Sequence, residues 1–145
     1  MGPEGMVHAL EKACRLLTPS GYVLDIHPLP APASIEVRLA GRVELAGWIQ
    51  EEDDYIEYGQ AEEALGTVVR RGVATIEDRQ VFPFVTHADS LSELRAYLAE
   101  EWQDAFIDEQ TAGRIEDLLR TRVQDKEILV RETVSMVRLR PVRAG

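Results

Sequence analysis

A chain of 145 residues, 45% hydrophobic and 29% charged, is long enough to bury a single apolar core and too apolar to be disordered. Its formal net charge of −10 speaks against non-specific binding to nucleic acid, which draws its affinity from clustered Lys and Arg. No apolar run approaches the roughly 20 residues that cross a bilayer, no basic segment with an apolar stretch opens the chain, and the single Cys14 cannot form an internal disulfide. One cytoplasmic domain over residues 1–145, away from membranes, is therefore expected.

Met6, Leu10, Ala13 and Leu17 recur at steps of three and four and predict a first helix buried over a wide face. Pro19 cannot continue it, and Gly21 is expected to supply the positive φ of a closing turn. Tyr22 to Ile26 read as a strand apolar on both faces except at Asp25, the pattern of a sheet interior. Three prolines between His27 and Ser34 predict an extended loop. Two alternating stretches around Ala40 and Gly41 then predict a hairpin, with Ile35, Val37 and Leu39 inward from one strand and Val43, Leu45 and Gly47 from the other.

The acidic run Glu51 to Asp54 is expected to form a solvated loop. Ala61, Ala64, Leu65 and Val68 mark a second helix from about Tyr55 to Arg71, closed by Gly72. Residues 73–89 read as extended, with Pro83 confining them to an edge or a bulge. Ser90 and Glu93 form a capping box for a helix striped by Leu91, Leu94, Leu98, Trp102 and Ala105; another helix runs from about Glu109 to Arg122. A closing strand alternates through Ile128, Val130, Val134 and Met136, and the parity change after it predicts a bulge near Ser135 or burial on both faces there. The fold class is α/β to α+β, with about four helices and a mixed, largely antiparallel sheet.

Few residues suggest chemistry. His8, His27 and His87 lack metal-motif spacing, so no metal site is expected. His27 lies just past a strand end, where α/β folds place ligands, and Asp25 two residues earlier would form an acid–base pair with it if both were buried. Trp48, Tyr55 and Tyr58 surround the acidic loop and are either packing or the wall of a small ligand pocket. Cys14 has no activating base in view and reads as a small buried hydrophobe.

The segment Ala9 to Pro28, "ALEKACRLLTPSGYVLDIHP", resembles class I S-adenosylmethionine-dependent methyltransferases, in which a helix ends in a Leu-Lys-Pro-Gly-Gly pattern and feeds the fifth strand. Leu17, Pro19 and Gly21 match; Thr18 stands for the usual Lys and Ser20 for the first Gly. Phe82 to Trp102 and Ile128 to Pro141 are similar to later parts of the same domain. The resemblance implies the second half of a Rossmann-like methyltransferase domain, without the Gly-rich turn that holds the cofactor. It implies no cofactor for the isolated chain, and S-adenosylmethionine only if another chain supplies the site. It further implies self-association, as a homodimer, or a partner protein covering the Tyr22–Ile26 strand edge. Two other readings stand beside it: a subunit or truncated product of an active methyltransferase, and an unrelated small α+β ligand-binding domain.

Overall fold

The computed structural model of the protein describes residues 2–53 and 55–143; Asp54 of the acidic run lies outside them. Among the described residues, four helices and seven strands, antiparallel wherever a register is defined, make the fold α+β. No described helix is long and apolar enough to cross a membrane. The residues form two compact units, one drawn from the segments up to Pro30, Ile56–Phe82 and from Thr133 onward, the other from Ala31–Tyr55 and Pro83–Glu132.

The first unit holds helices α1 (Pro3–Arg15) and α2 (Ile56–Arg70), strand β1 (Val23–Pro28), and parts of β5 (Ala74–Ala88) and β7 (Lys126–Pro141). Pro3 sits in the first turn of α1, where a missing amide hydrogen is harmless. Val7 and Cys14 of α1 pack with Ala64, Leu65 and Val68 of α2 over Val137 and Leu139 of β7. After α1, the amide of Gly21 closes a turn onto the carbonyl of Thr18 at 2.9 Å. Gly21 is not among the glycines with positive φ, contrary to expectation. What it needs is space: an added Cβ would lie 3.1 Å from Leu17 Cβ and 3.2 Å from the Thr18 oxygen. Gly72, at φ +72°, does take the left-handed conformation after α2.

β1 is not the interior strand that its apolar composition suggests. Its only strand partner among the described residues is β7, with Val23 opposite Leu139 and His27 opposite Ser135. Strand periodicity explains the composition: Val23, Asp25 and His27 form one row with Val137 and Leu139, whereas Tyr22, Leu24 and Ile26 alternate with them and are 48%, 51% and 59% exposed. Around Ser135 the pairing with β1 shows no register shift, and Val134 and Ser135 are both buried, so burial of both faces replaces the bulge.

The second unit packs α3 (Leu91–Glu101) and α4 (Glu109–Leu119) with β2 (Ser34–Leu39), β3 (Arg42–Trp48), β4 (Gln50–Glu51), β6 (Ala105–Phe106) and the first half of β7. Ile35, Val37 and Leu39 alternate inward as expected and meet Leu94, Leu98, Ile115, Ile128 and Val130. Ser90 caps α3 by accepting from the amide of Glu93 at 3.0 Å, while Glu93 returns to the amide of Asp89 and not to that of Ser90. Ala105, expected on that helix, belongs to β6.

Val43 and Leu45, expected inward, are exposed. The two-residue turn at Ala40 and Gly41 pairs Leu39 with Arg42 and Val37 with Glu44, so the inward row of β2 faces polar residues there. A bulge between the Glu36–Leu45 and Ile35–Gly47 pairs then re-phases β3, and Ala46 and Gly47 are both buried. The turn itself has φ 51° at Ala40 and φ 86° at Gly41, the pair of positive values that a tight hairpin of this twist requires. Alanine is ill suited to that conformation by about 1 kcal/mol. Ala40→Asn is expected to stabilise the protein by up to about 1 kcal/mol; a denaturation midpoint unchanged or lowered in urea would contradict the turn geometry.

Candidate functional site

Asp25 and His27 are two apart on β1, which puts both side chains on the row facing the helices. His27 lies within the strand and not in the expected loop, and it is only 8% exposed. Its Nδ1 donates to Asp25 Oδ1 and its Nε2 donates to Glu62 Oε1 of α2 at 2.6 Å. The same Glu62 oxygen accepts from Arg79 Nη2 of β5 at 2.5 Å. The four groups alternate in sign: Asp25, His27, Glu62, Arg79.

A carboxylate at each ring nitrogen favours the imidazolium, the form that donates from both. The Asp25 hydrogen bond raises the His27 pKa most, burial opposes it, and Glu62 adds to the rise. Glu62 is correspondingly lowered, first by Arg79 and then by His27. With no lone pair left on the ring, His27 can neither abstract a proton nor ligate a metal in this arrangement. The pairing foreseen between Asp25 and His27 is present; Glu62 and Arg79 complete it, and neither is identified from the sequence. Glu62 carried a signal: it lies three residues before buried Leu65 on the helix face that packs inward. Arg79 carried none, because β5 is exposed over most of its length.

Ser135, opposite His27 across the β1–β7 ladder, is fully buried and its Oγ has no hydrogen-bond partner among the described residues. A serine beside a His–Asp pair resembles a nucleophile and its base in outline. The chemistry does not follow, because the imidazole nitrogens are both committed to carboxylates. Among the described residues, no group of three His, Cys, Asp or Glu side chains is placed to hold a metal ion. Cys14 is buried and its thiol is pushed up by desolvation, as for a packing residue.

The three aromatic residues around the acidic loop take different places. Trp48, at the end of β3, lines a cleft of about 350 Å³ in the second unit with Gln50, Asp108, Gln110 and Arg114. Tyr55 is buried, with its hydroxyl donating to the Ile49 carbonyl at 2.6 Å; burial, reinforced by the charge of Glu51, moves its pKa up to about 12. Tyr58 belongs to α2 in the first unit. Within the acidic run, Glu51 accepts from the Trp102 indole at 2.5 Å, so this carboxylate ties β4 to the end of α3.

Comparison of the chain with protein-family models, with curated proteins and with solved structures gives no match.

The His27 network sets a pH dependence whose sign is fixed. A raised folded pKa means that its stabilisation is complete below the unfolded value of about 6.5 and is lost as pH climbs through the folded value. Glu62 acts oppositely: its contribution is present above its ordinary pKa of 4.5 and is lost as pH falls through the lowered value. His27→Gln removes the cation between two carboxylates and is expected to cost about 2 kcal/mol near pH 6. Urea titrations across pH 6 to 9 should show wild-type stability declining more steeply than that of the variant; parallel profiles would refute the imidazolium.

Proposed function

We propose that the chain is a methyltransferase-like domain that works by association and not by catalysis, pairing with a second copy of itself through β1. The observation that carries this reading is the outward row of Leu24 and Ile26 on β1, continued by Tyr22 just before the strand, each about half exposed beside an inward row committed to the core and to the His27 network. Three large apolar side chains at alternate positions share one face, Tyr22 with its ring against the guanidinium groups of Arg138 and Arg140, which a lone surface leucine does not match. Burying their exposed halves is worth about 1 kcal/mol apiece, and a twofold axis doubles the sum. That reaches only the low end of the about 4–15 kcal/mol that association costs. Pairing along the edge of β1 away from β7 supplies the remainder in this arrangement.

The helix–turn–strand segment supports the methyltransferase-like part of the reading, since α1, the Thr18–Gly21 turn and β1 follow one another as the resemblance implies. The commitment of both His27 nitrogens supports the non-catalytic part. Light scattering of the purified chain is expected to give the dimer mass, and Leu24→Asp with Ile26→Asp to give the monomer with an unchanged circular dichroism spectrum. A monomeric wild type at tens of micromolar would end the association reading. Calorimetry with S-adenosylmethionine is expected to show no saturable heat; a saturable one would show that the chain holds the cofactor by itself and overturn the reading.

A further inference from the structure

We propose that the cleft beside Trp48 in the second unit binds a neutral sugar ring. The cleft holds about 350 Å³, within the range of small-ligand pockets and ample for one or two pyranose rings. One wall is the Trp48 side chain, 47% exposed, with an indole N–H that has no hydrogen-bond partner among the described residues. A large aromatic left half in water at the mouth of a cleft offers a flat apolar surface, and the C–H face of a pyranose is the complementary one.

The polar groups around it are unusually unengaged. Arg114 donates through Nε to the Leu45 carbonyl at 2.9 Å, which fixes the guanidinium and leaves both terminal amino groups without a partner among the described residues. The amides of Gln50 and Gln110, likewise without a hydrogen-bond partner among the described residues, each offer one acceptor and two donors. Asp108 caps α4 by accepting from the amide of Thr111 at 2.7 Å, and that contact together with the Thr111 hydroxyl holds its carboxylate ionised. Hydroxyl groups both donate and accept, and a held guanidinium and two unengaged amides beside a held carboxylate match that habit.

Charge selects among ligand classes. Arg114 and Asp108 leave the lining with no net charge and the other polar groups are neutral, which favours an uncharged ligand over a phosphate or a cation. The ionised cap also occupies the N-terminus of α4, where an anion would otherwise sit. The floor is rigid. At Gly47 an added Cβ would come 2.3 Å from Thr111 Oγ1, so β3 and α4 touch backbone to side chain beneath the cleft, which is thereby preformed.

The test is a titration of the full chain, followed by the two indole N–H resonances, with glucose, galactose, N-acetylglucosamine, maltose and cellobiose. The Trp48 resonance is expected to shift saturably with at least one of them at millimolar concentration, while that of Trp102, held by Glu51, stays in place. Gln110→Ala, on the exposed first turn of α4, is expected to weaken binding about tenfold, and Trp48→Ala to abolish it with the remaining amide spectrum intact. Absence of a saturable Trp48 shift with every sugar overturns the proposal. So does tighter binding of glucose 6-phosphate than of glucose, or a Trp48 shift with adenosine when no sugar produces one.

Discussion

The strand β7 is the constraint on which the remaining structure depends. It is sixteen residues long, and its first half pairs with β2 while its second half pairs with β1, both antiparallel. Each pairing sets which side chains face the helices, because a strand alternates faces with a period of two. Ile128 and Val130 therefore join the core of the second unit, and Val137 and Leu139 that of the first. The change of parity between them, with Val134 and Ser135 both buried, is where one strand serves two cores.

The uneven distribution of charge has its explanation in the same strand. Seven of the fourteen arginines fall in the last third of the chain, which carries a net charge of −2 against −8 for the first 97 residues. Read linearly, that asymmetry suggests a solvated surface or contact between subunits; folded, it becomes intrachain pairing. Arg131 meets Glu36 at 2.8 Å, Arg138 and Arg140 both meet Glu77, and Arg38 is held by Asp125 and Glu127. Arg140 and Arg143 also donate to carbonyls at Leu17, Thr18, Ser20 and Gly21, closing the turn after α1. The ring of Tyr22 lies between 5.6 and 5.7 Å from the guanidinium carbons of Arg140 and Arg138, a further modest attraction. Exposed pairs of this kind contribute little singly. Their value lies in register, since a one-residue slip of β7 would break all of them together.

The buried polar row of β1 works in a comparable way. A charged imidazole under the helices is tolerable only because carboxylates flank both nitrogens and Arg79 balances the second of them. That arrangement ties β1 to α2 and β5 and leaves the outer row of β1 as the part of the strand still free to meet another molecule.

Local order was legible in the sequence wherever the physics is local. Proline and glycine placed the turns, the three-and-four spacing of Ala64, Leu65 and Val68 placed α2, and the serine before Leu91 placed the start of α3, whereas His27 was expected beyond the strand and its pairing with Asp25 only if both were buried. What the sequence by itself determined was thus the order of the helices and of the longer strands, with Asp25 and His27 close enough in sequence to pair. Only the tertiary structure decided that β1 pairs with β7, that Val43 and Leu45 face water, and that Glu62 and Arg79 turn a possible base into a fixed cation. The physical reason is range. Backbone propensity and side-chain period act over a few residues, whereas strand partners and opposite charges here lie tens of residues apart and are selected by the packing of the whole.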